Sequence, residues 1–201
     1  VFQIGNDCLG IYVLDVSGHG VPAAMVTVSV SQFLQEKIAL WKNEATDSLL
    51  LSPAHMFQIL VDEFPFERFN TLFTITYIVV NIKEGTLIYS NGGHPFPILA
   101  RKNNTIELLD KKGPIIGISY LDTHSQNKSN FTEEIRKFKP GDKLFVYTAG
   151  ITEYHNSNHE IYGDDRFITD LKKLCNGSIR ETIDGCIKTL MSFGNNNEPQ
   201  D

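Results

Sequence analysis

The chain has 201 residues, a formal net charge of −6, and ordinary proportions of apolar (41%) and charged (21%) residues. A chain of this length can bury one substantial core, and its composition excludes the disordered and collagen-like classes. The negative charge and the lack of a long lysine or arginine cluster argue against nucleic acid as a partner. No apolar run reaches the roughly 18 to 20 residues that cross a bilayer, so we expect no membrane segment.

The cysteine pattern favours a reducing compartment. Cys8, Cys175 and Cys186 are far apart in sequence and odd in number, and no spacing resembles a zinc site. We therefore expect reduced thiols packed in a core and a cytoplasmic protein. Residues 1–4 resemble the interior of a fold rather than a signal peptide, so we expect this sequence to be a piece of a longer protein.

The first part of the chain predicts one strand followed by two helices. Residues 8–14 form a short apolar run typical of a strand. Residues 21–41 have helical periodicity, and their wide apolar face, which includes Met25 and Val28, predicts a well-buried helix. Ser52-Pro53 predicts a second helix, because serine is a common cap and proline suits the first turn.

The middle of the chain changes to the pattern of antiparallel strands. Runs rich in β-branched and aromatic residues alternate with short turns that contain glycine, asparagine or proline. Three hairpins are predicted: 72–82 with 86–90, 97–101 with 105–109, and 131–138 with 143–147. Two helices follow, 165–174 and 179–193, with Asp164 and Ser178 as their predicted caps.

This order of elements predicts the fold class. Strands joined by hairpins exclude a doubly wound parallel sheet, in which each connection is a helical crossover. We expect an α+β fold in which helices cover the outer faces of antiparallel sheets. No linker or repeat divides the chain, so residues 1–201 are expected to form a single domain.

One carboxylate stands where a functional site is often built. Asp15 ends the first apolar run and is followed by Val16-Ser17-Gly18-His19-Gly20, where the first long helix begins. Rigid elements can aim a ligand at such a strand end while the turn leaves room for substrate. Taken alone, an aspartate after a strand is more often a turn or helix cap than a catalytic group. His19 and His94 are likewise interpreted as structural.

Five separated motifs follow one another along the chain. They are residues 15–24 (DVSGHGVPAA), 71–73 (TLF), 91–97 (NGGHPFP), 113–117 (GPIIG) and 144–153 (LFVYTAGITE). In this order they resemble the bacterial SpoIIE/RsbU-type serine/threonine phosphatases, the prokaryotic branch of the metal-dependent PPM (protein phosphatase 2C-like) family. The resemblance covers nearly the whole chain.

The resemblance implies an α-β-β-α sandwich of two antiparallel sheets with two Mn²⁺ or Mg²⁺ ions at one end. Hard cations of this kind prefer oxygen ligands, and a pair of them can bind a phosphate while activating a water. In the family the motif aspartate bridges both metals and the next residue lends its backbone carbonyl. These roles fall on Asp15 and Val16.

The sequence also departs from the family pattern. Ala149 stands where the family has the aspartate of a Thr-Asp-Gly motif, so one carboxylate ligand is lost. Another ligand of the family lies ahead of residue 1. Residues 199–201 resemble the start of the motif that carries the last ligand, so the resemblance makes Asp201 a candidate metal ligand. We therefore expect a domain that lacks its first and last strands, with incomplete metal occupancy: one ion or none.

Two functions remain open at this point. The first is a metal-dependent phosphatase that hydrolyses a phosphoserine or phosphothreonine on a partner protein. The resemblance implies a phosphorylated anti-sigma factor antagonist of the STAS type as the substrate, and an upstream sensor or receiver domain in the full-length protein. The alternative is a degenerate phosphatase that binds a phosphoprotein or partner without turnover, because Ala149 replaces a ligand. The alanine is compatible with a natural or an engineered change.

Overall fold

The computed structural model describes residues 1–4, 6–43, 52–117 and 131–194. These residues divide into two compact units: Val1–Phe96 with Asp110–Lys139, and Pro97–Leu109 with the chain from Pro140 onward. In chain order the elements are β1 (Phe2–Ile4), β2 (Cys8–Val16), α1 (Gly20–Asn43), α2 (Pro53–Glu63), α3 (Phe66–Phe69), β3 (Phe73–Asn81), β4 (Thr86–Gly92), β5 (Ile98–Ala100), β6 (Ile106–Leu108), β7 (Glu134–Lys137), β8 (Lys143–Phe145), α4 (Ala149–Thr152), α5 (Asp164–Leu174) and α6 (Ile179–Phe193).

The described residues form one antiparallel sheet in each unit. The first unit has a five-stranded sheet in the order β1-β2-β3-β4-β7, and the second has a three-stranded sheet in the order β6-β5-β8. The predicted hairpins β3–β4 and β5–β6 are confirmed. No helix within the described ranges combines the length and apolar character needed to cross a bilayer.

The core of the first unit lies between its sheet and the helices α1 and α2. Side chains alternate between the two faces of a strand, and the alternate β3 residues Phe73, Ile75, Tyr77 and Val79 belong to this core. Each helix contributes residues at helical spacing. The helix residues of this core are Val26, Val30, Leu34 and Ile38 of α1 and Met56, Phe57, Leu60 and Val61 of α2.

Helix α1 is less buried than its sequence predicts. Its buried stripe follows Val26 and Val30, whereas Met25 is 65% exposed and Val28 is 54% exposed. The expectation of a well-buried helix is therefore wrong for its first half. Two overlapping apolar faces fit the same sequence, and only the packing on the sheet decides which one is covered.

The third predicted hairpin is also wrong. Strand β7 pairs with β4 of the first unit, and β8 pairs with β5 of the second. The turn at Pro140-Gly141 thus carries the chain from one unit to the other. Each side of the turn bonds within its own unit. Before the turn, Phe138 N–H donates to Gly85 O of the first unit at 2.9 Å, and after it, Asp142 accepts from Arg101 of the second unit at 2.9 Å.

The core of the second unit is formed by β5, the segment after β8, α5 and α6. Its buried members include Ile98, Tyr147, Phe167 and Leu171. Helix α5 begins after Gly163 rather than after Asp164, which is its first helical residue, so the predicted cap is wrong by one position. The cysteines Cys8, Cys175 and Cys186 are free thiols.

Helix starts at serine were predicted correctly. Ser52 caps α2, and Ser178 caps α6 in a reciprocal arrangement. The Ser178 hydroxyl accepts the Glu181 backbone N–H at 3.2 Å, and the Glu181 carboxylate accepts the Ser178 backbone N–H at 2.7 Å. Both bonds satisfy donors that a helix start leaves without an intrahelical partner.

Removal of the Ser178 cap should weaken the second unit measurably. We expect Ser178→Ala to lower the free energy of unfolding by about 1 kcal/mol, because the Glu181 N–H loses its acceptor. Ser192→Ala is the matched control, since the Ser192 hydroxyl near the end of the same helix only donates to Lys188 O. Urea denaturation should show a change below about 0.5 kcal/mol for the control, and equal losses would contradict the capping role.

Candidate active site

Asp15 and Val16 are the last two residues of β2 and point to opposite faces of the first sheet. Val16 is 8% exposed and belongs to the helix-covered core, whereas Asp15 is exposed. Because side chains alternate along a strand, the burial of Val16 fixes the face on which the carboxylate lies. The strand therefore presents a carboxylate from a rigid support.

The backbone carbonyl of Val16 is directed away from β3. Val16 stands opposite Phe73, whose N–H and C=O bond instead to Ile116 at 3.2 and 3.0 Å. In an antiparallel ladder such a pair exchanges no hydrogen bonds, so the polar groups of Val16 face the other edge of β2. Within the described residues β1 pairs with that edge only at positions 8–10. The Val16 carbonyl thus lies on an edge that no described strand covers.

The turn after Val16 is tied back to the start of β3. Ser17 N–H donates to Leu72 O at 2.9 Å, and Leu72 N–H donates to the Ser17 hydroxyl oxygen at 3.2 Å. Gly18 then has a φ of 94°, and His19 is exposed just before α1 begins. The two bonds to Leu72 join the first two sequence motifs in space.

The third motif forms a locked loop at the end of β4. The Asn91 side chain accepts from His94 N–H and donates to His94 O, both at 2.8 Å. Gly93 between them has a φ of 74°, which a residue with a side chain rarely adopts. His94 is 3% exposed, so the expectation that it shapes this loop agrees with its surroundings.

Two further contacts bring the loop to β3 and to the fourth motif. The Thr74 hydroxyl and His94 Nδ1 are 2.8 Å apart. A side chain at Gly93 would clash with Ile115, one residue before the Ile116 that pairs with Phe73. Four of the five motifs therefore meet within the first unit. Thr74 itself was not predicted, although it directly follows the second motif.

The other predicted positions lie outside the described residues of the first unit. Ala149 is the first residue of α4 in the second unit, after Thr148, and has no side-chain oxygen. Asp201 lies outside the described residues, as does the expected final strand. His155 and His159 are exposed in the loop after α4.

The oxygen donors of Asp15 and Val16 are of the type that binds a divalent cation. Carboxylate and carbonyl oxygens are the ligands that Mg²⁺ and similar hard cations prefer, and Mg²⁺ often keeps several waters beside one or two carboxylates. The described parts of the chain contain no group of three or more His, Cys, Asp or Glu side chains that could hold a metal ion. Asp15 and Val16 therefore supply oxygen donors for a well-hydrated cation, without a larger cluster of ligand side chains among the described residues.

Comparison with known proteins identifies the family. A model of the family described as Stage II sporulation protein E (SpoIIE) matches residues 5–201. The chain belongs to the SpoIIE family. Phosphoserine phosphatase RsbP of Bacillus subtilis is 28% identical to this SpoIIE-family chain over 153 residues, which are 76% of the chain and 35% of RsbP. The chain thus spans about a third of the length of that relative.

Solved structures confirm the predicted fold of this SpoIIE-family chain. The SiaA-PP2C domain of Pseudomonas aeruginosa matches with a TM-score of 0.79 at 17% identity, covering the whole chain and 75% of that domain. RsbX in complex with magnesium matches with a TM-score of 0.57 at 12% identity, covering 96% of this chain and 78% of RsbX. The antiparallel sheets with flanking helices are therefore those of the PP2C (PPM) phosphatase fold.

The close packing around Gly93 predicts that one methyl group added at this position has a large effect on stability. We expect Gly93→Ala to destabilise the protein by about 2 kcal/mol or more, because the new Cβ meets Ile115 and φ is positive. Gly18→Ala is the control: its φ is also positive, but nothing lies within 4 Å of the new Cβ. It should cost only about 1 kcal/mol from backbone strain. Equal losses in thermal denaturation would contradict the tight packing.

Proposed function

We propose that this chain is the catalytic domain of a metal-dependent protein phosphatase that hydrolyses phosphoserine or phosphothreonine. The observation that carries the proposal is the exposed Asp15 carboxylate at the end of β2, beside a Val16 carbonyl on an uncovered strand edge. Membership in the SpoIIE family and similarity to a named phosphoserine phosphatase support it.

The chemistry follows from the donors. Asp15 would hold Mn²⁺ or Mg²⁺ through its carboxylate, and Val16 would hold it through its backbone carbonyl. A bound cation of this kind supplies positive charge for the phosphate and lowers the pKa of a coordinated water. The chain then needs no nucleophilic side chain, and its own task is to hold the donors rigidly at the strand end.

The proposal extends to substrate and setting. The substrate is a phosphorylated anti-sigma factor antagonist of the STAS type, and an upstream sensor or receiver domain controls the reaction. We assign the whole of residues 1–201 to a single phosphatase-like domain and place it in the cytoplasm. The similarity to a named phosphoserine phosphatase supports a phosphorylated protein as the substrate, and the three free thiols favour a reducing compartment.

A second candidate function is supported by Ala149. The alanine begins α4 and supplies no carboxylate, so the chain would hold fewer cations than an active relative. In this candidate the chain is a degenerate phosphatase that recognises a phosphoprotein or partner without turnover. We favour the enzyme, with incomplete metal occupancy.

Asp15 provides the direct test of the enzyme hypothesis. Asp15→Asn should lower Mn²⁺-dependent hydrolysis of p-nitrophenyl phosphate more than about 100-fold, since even residues outside the ligand shell of a metal contribute 10- to 100-fold. Asp62→Asn is the control, because Asp62 is an exposed carboxylate on α2. Activity that survives the loss of the Asp15 carboxylate would show that another site is responsible.

Ala149 discriminates the two candidate functions. If loss of this ligand has made the chain a degenerate phosphatase, Ala149→Asp should raise activity at saturating Mn²⁺ about tenfold or more, because a carboxylate strengthens binding of a hard cation. An enzyme that tolerates alanine should change little. Ala149→Asn controls for side-chain size, and the steady-state rate with p-nitrophenyl phosphate is the measurement. A gain shared by both variants would contradict a charge-dependent ligand role.

A further inference from the structure

Three polar side chains form a row across the end of the first sheet: Asp15 on β2, Thr74 on β3, and His94 in the loop after β4. Asp15 stands directly opposite Thr74 in the β2–β3 register. Phe73 bonds to Ile116 on the far side of β3, so the next residue, Thr74, directs its backbone groups toward β2. The side chains of such a pair share one face, with Cβ atoms about 5 Å apart.

The far end of this row is fixed. His94 Nδ1 lies 2.8 Å from the Thr74 hydroxyl oxygen, and the imidazole belongs to a residue that is 3% exposed. Asn91 holds the backbone of His94 at both its N–H and its C=O. The hydrogen bond therefore ties the Thr74 side chain to a group that the loop keeps in place.

We propose that Thr74, held by His94, is a positioning residue for the Asp15 carboxylate. The bond to His94 holds Thr74 in one χ1 rotamer, so the side chain that stands opposite Asp15 keeps one orientation. A fixed neighbour on the same face restricts the rotamers that the carboxylate adopts. This inference rests on the proposed function in one respect: it takes Asp15 to be a metal ligand, which the restricted rotamer would orient.

Thr76 is a second threonine on the same face of β3 that does not stand opposite Asp15. It lies two residues further along the same face of β3, is fully buried, and donates to Ser90 O at 3.4 Å. Its opposite residue on β2 is Val13 rather than Asp15. The same strand thus offers a matched control for the loss of a threonine hydroxyl.

The test uses Thr74→Val and Thr76→Val, which replace a hydroxyl with a methyl group of similar size. Three-bond N–Cγ and C′–Cγ couplings of Asp15, measured by NMR without metal, report its χ1 rotamers. We expect Thr74→Val to move these couplings toward rotamer-averaged values, whereas Thr76→Val leaves them unchanged. Thr74→Ser keeps the hydroxyl and should preserve the wild-type couplings. Unchanged Asp15 couplings in Thr74→Val, or an equal change in Thr76→Val, would overturn the proposal.

Calorimetric titration with Mn²⁺ connects the positioning to metal binding. Thr74→Val should raise the Mn²⁺ dissociation constant about tenfold, the usual effect of losing a group that orients a ligand. Thr74→Ser and Thr76→Val should stay within about twofold of wild type, so equal weakening in the two valine variants would contradict the inference. Mn²⁺ binding that persists in Asp15→Asn would instead refute the proposed function, while the NMR result on Thr74 would stand.

Discussion

The nine-residue antiparallel pairing of β2 with β3 is the constraint on which the candidate site depends. It runs without a bulge from Cys8 opposite Asn81 to Val16 opposite Phe73. Because the side-chain period of a strand is two, a slip of one residue would bury Asp15 in the helix-covered core and expose Val16. The burial of Val16 and of alternate β3 residues on α1 and α2 makes such a slip costly. Hydrophobic packing thus sets the position of the carboxylate.

The motifs that resemble phosphatases have two different physical roles in the first unit. Residues 15–16 present oxygen atoms, whereas the loop 91–94 and the segment 113–117 contact the end of β3 and hold it in place. They do so through the backbone bonds of Ile116 to Phe73 and through the hydrogen bond between Thr74 and His94. A sequence motif therefore need not contain a ligand to belong to a site. Its function here is to keep a neighbouring strand end rigid.

Local sequence patterns predicted most of the helices and strands, but they did not predict which strands pair with each other. Hairpins with short glycine or asparagine turns, such as β3–β4, were predicted because their pairing is decided within a few residues. The pairing of 131–138 with 143–147 was wrong because a Pro-Gly turn shows where the chain reverses, not which strands it joins. The exposed Met25 was missed for a similar reason, since helical periodicity does not identify the face that the sheet covers.

The candidate site was predictable to a similar extent. Asp15 was singled out because a strand ends there before a glycine turn, whereas Val16 and the ligand roles of both residues came from the resemblance. Thr74 could not be found in this way, because its importance depends on the β2–β3 register and on a loop twenty residues away. The alanine at position 149 is visible in the sequence, but its consequence for metal binding depends on how many donors surround the cation.

The most direct test of the central claim is anomalous diffraction from crystals of this chain grown with millimolar Mn²⁺. The account predicts one Mn²⁺ ion bound by both the Asp15 carboxylate and the Val16 carbonyl, with waters completing its shell. Mn²⁺ ions that bind this chain elsewhere and avoid Asp15 would contradict the assignment of these donors. Two fully coordinated ions with Ala149 in place would contradict the expected incomplete occupancy.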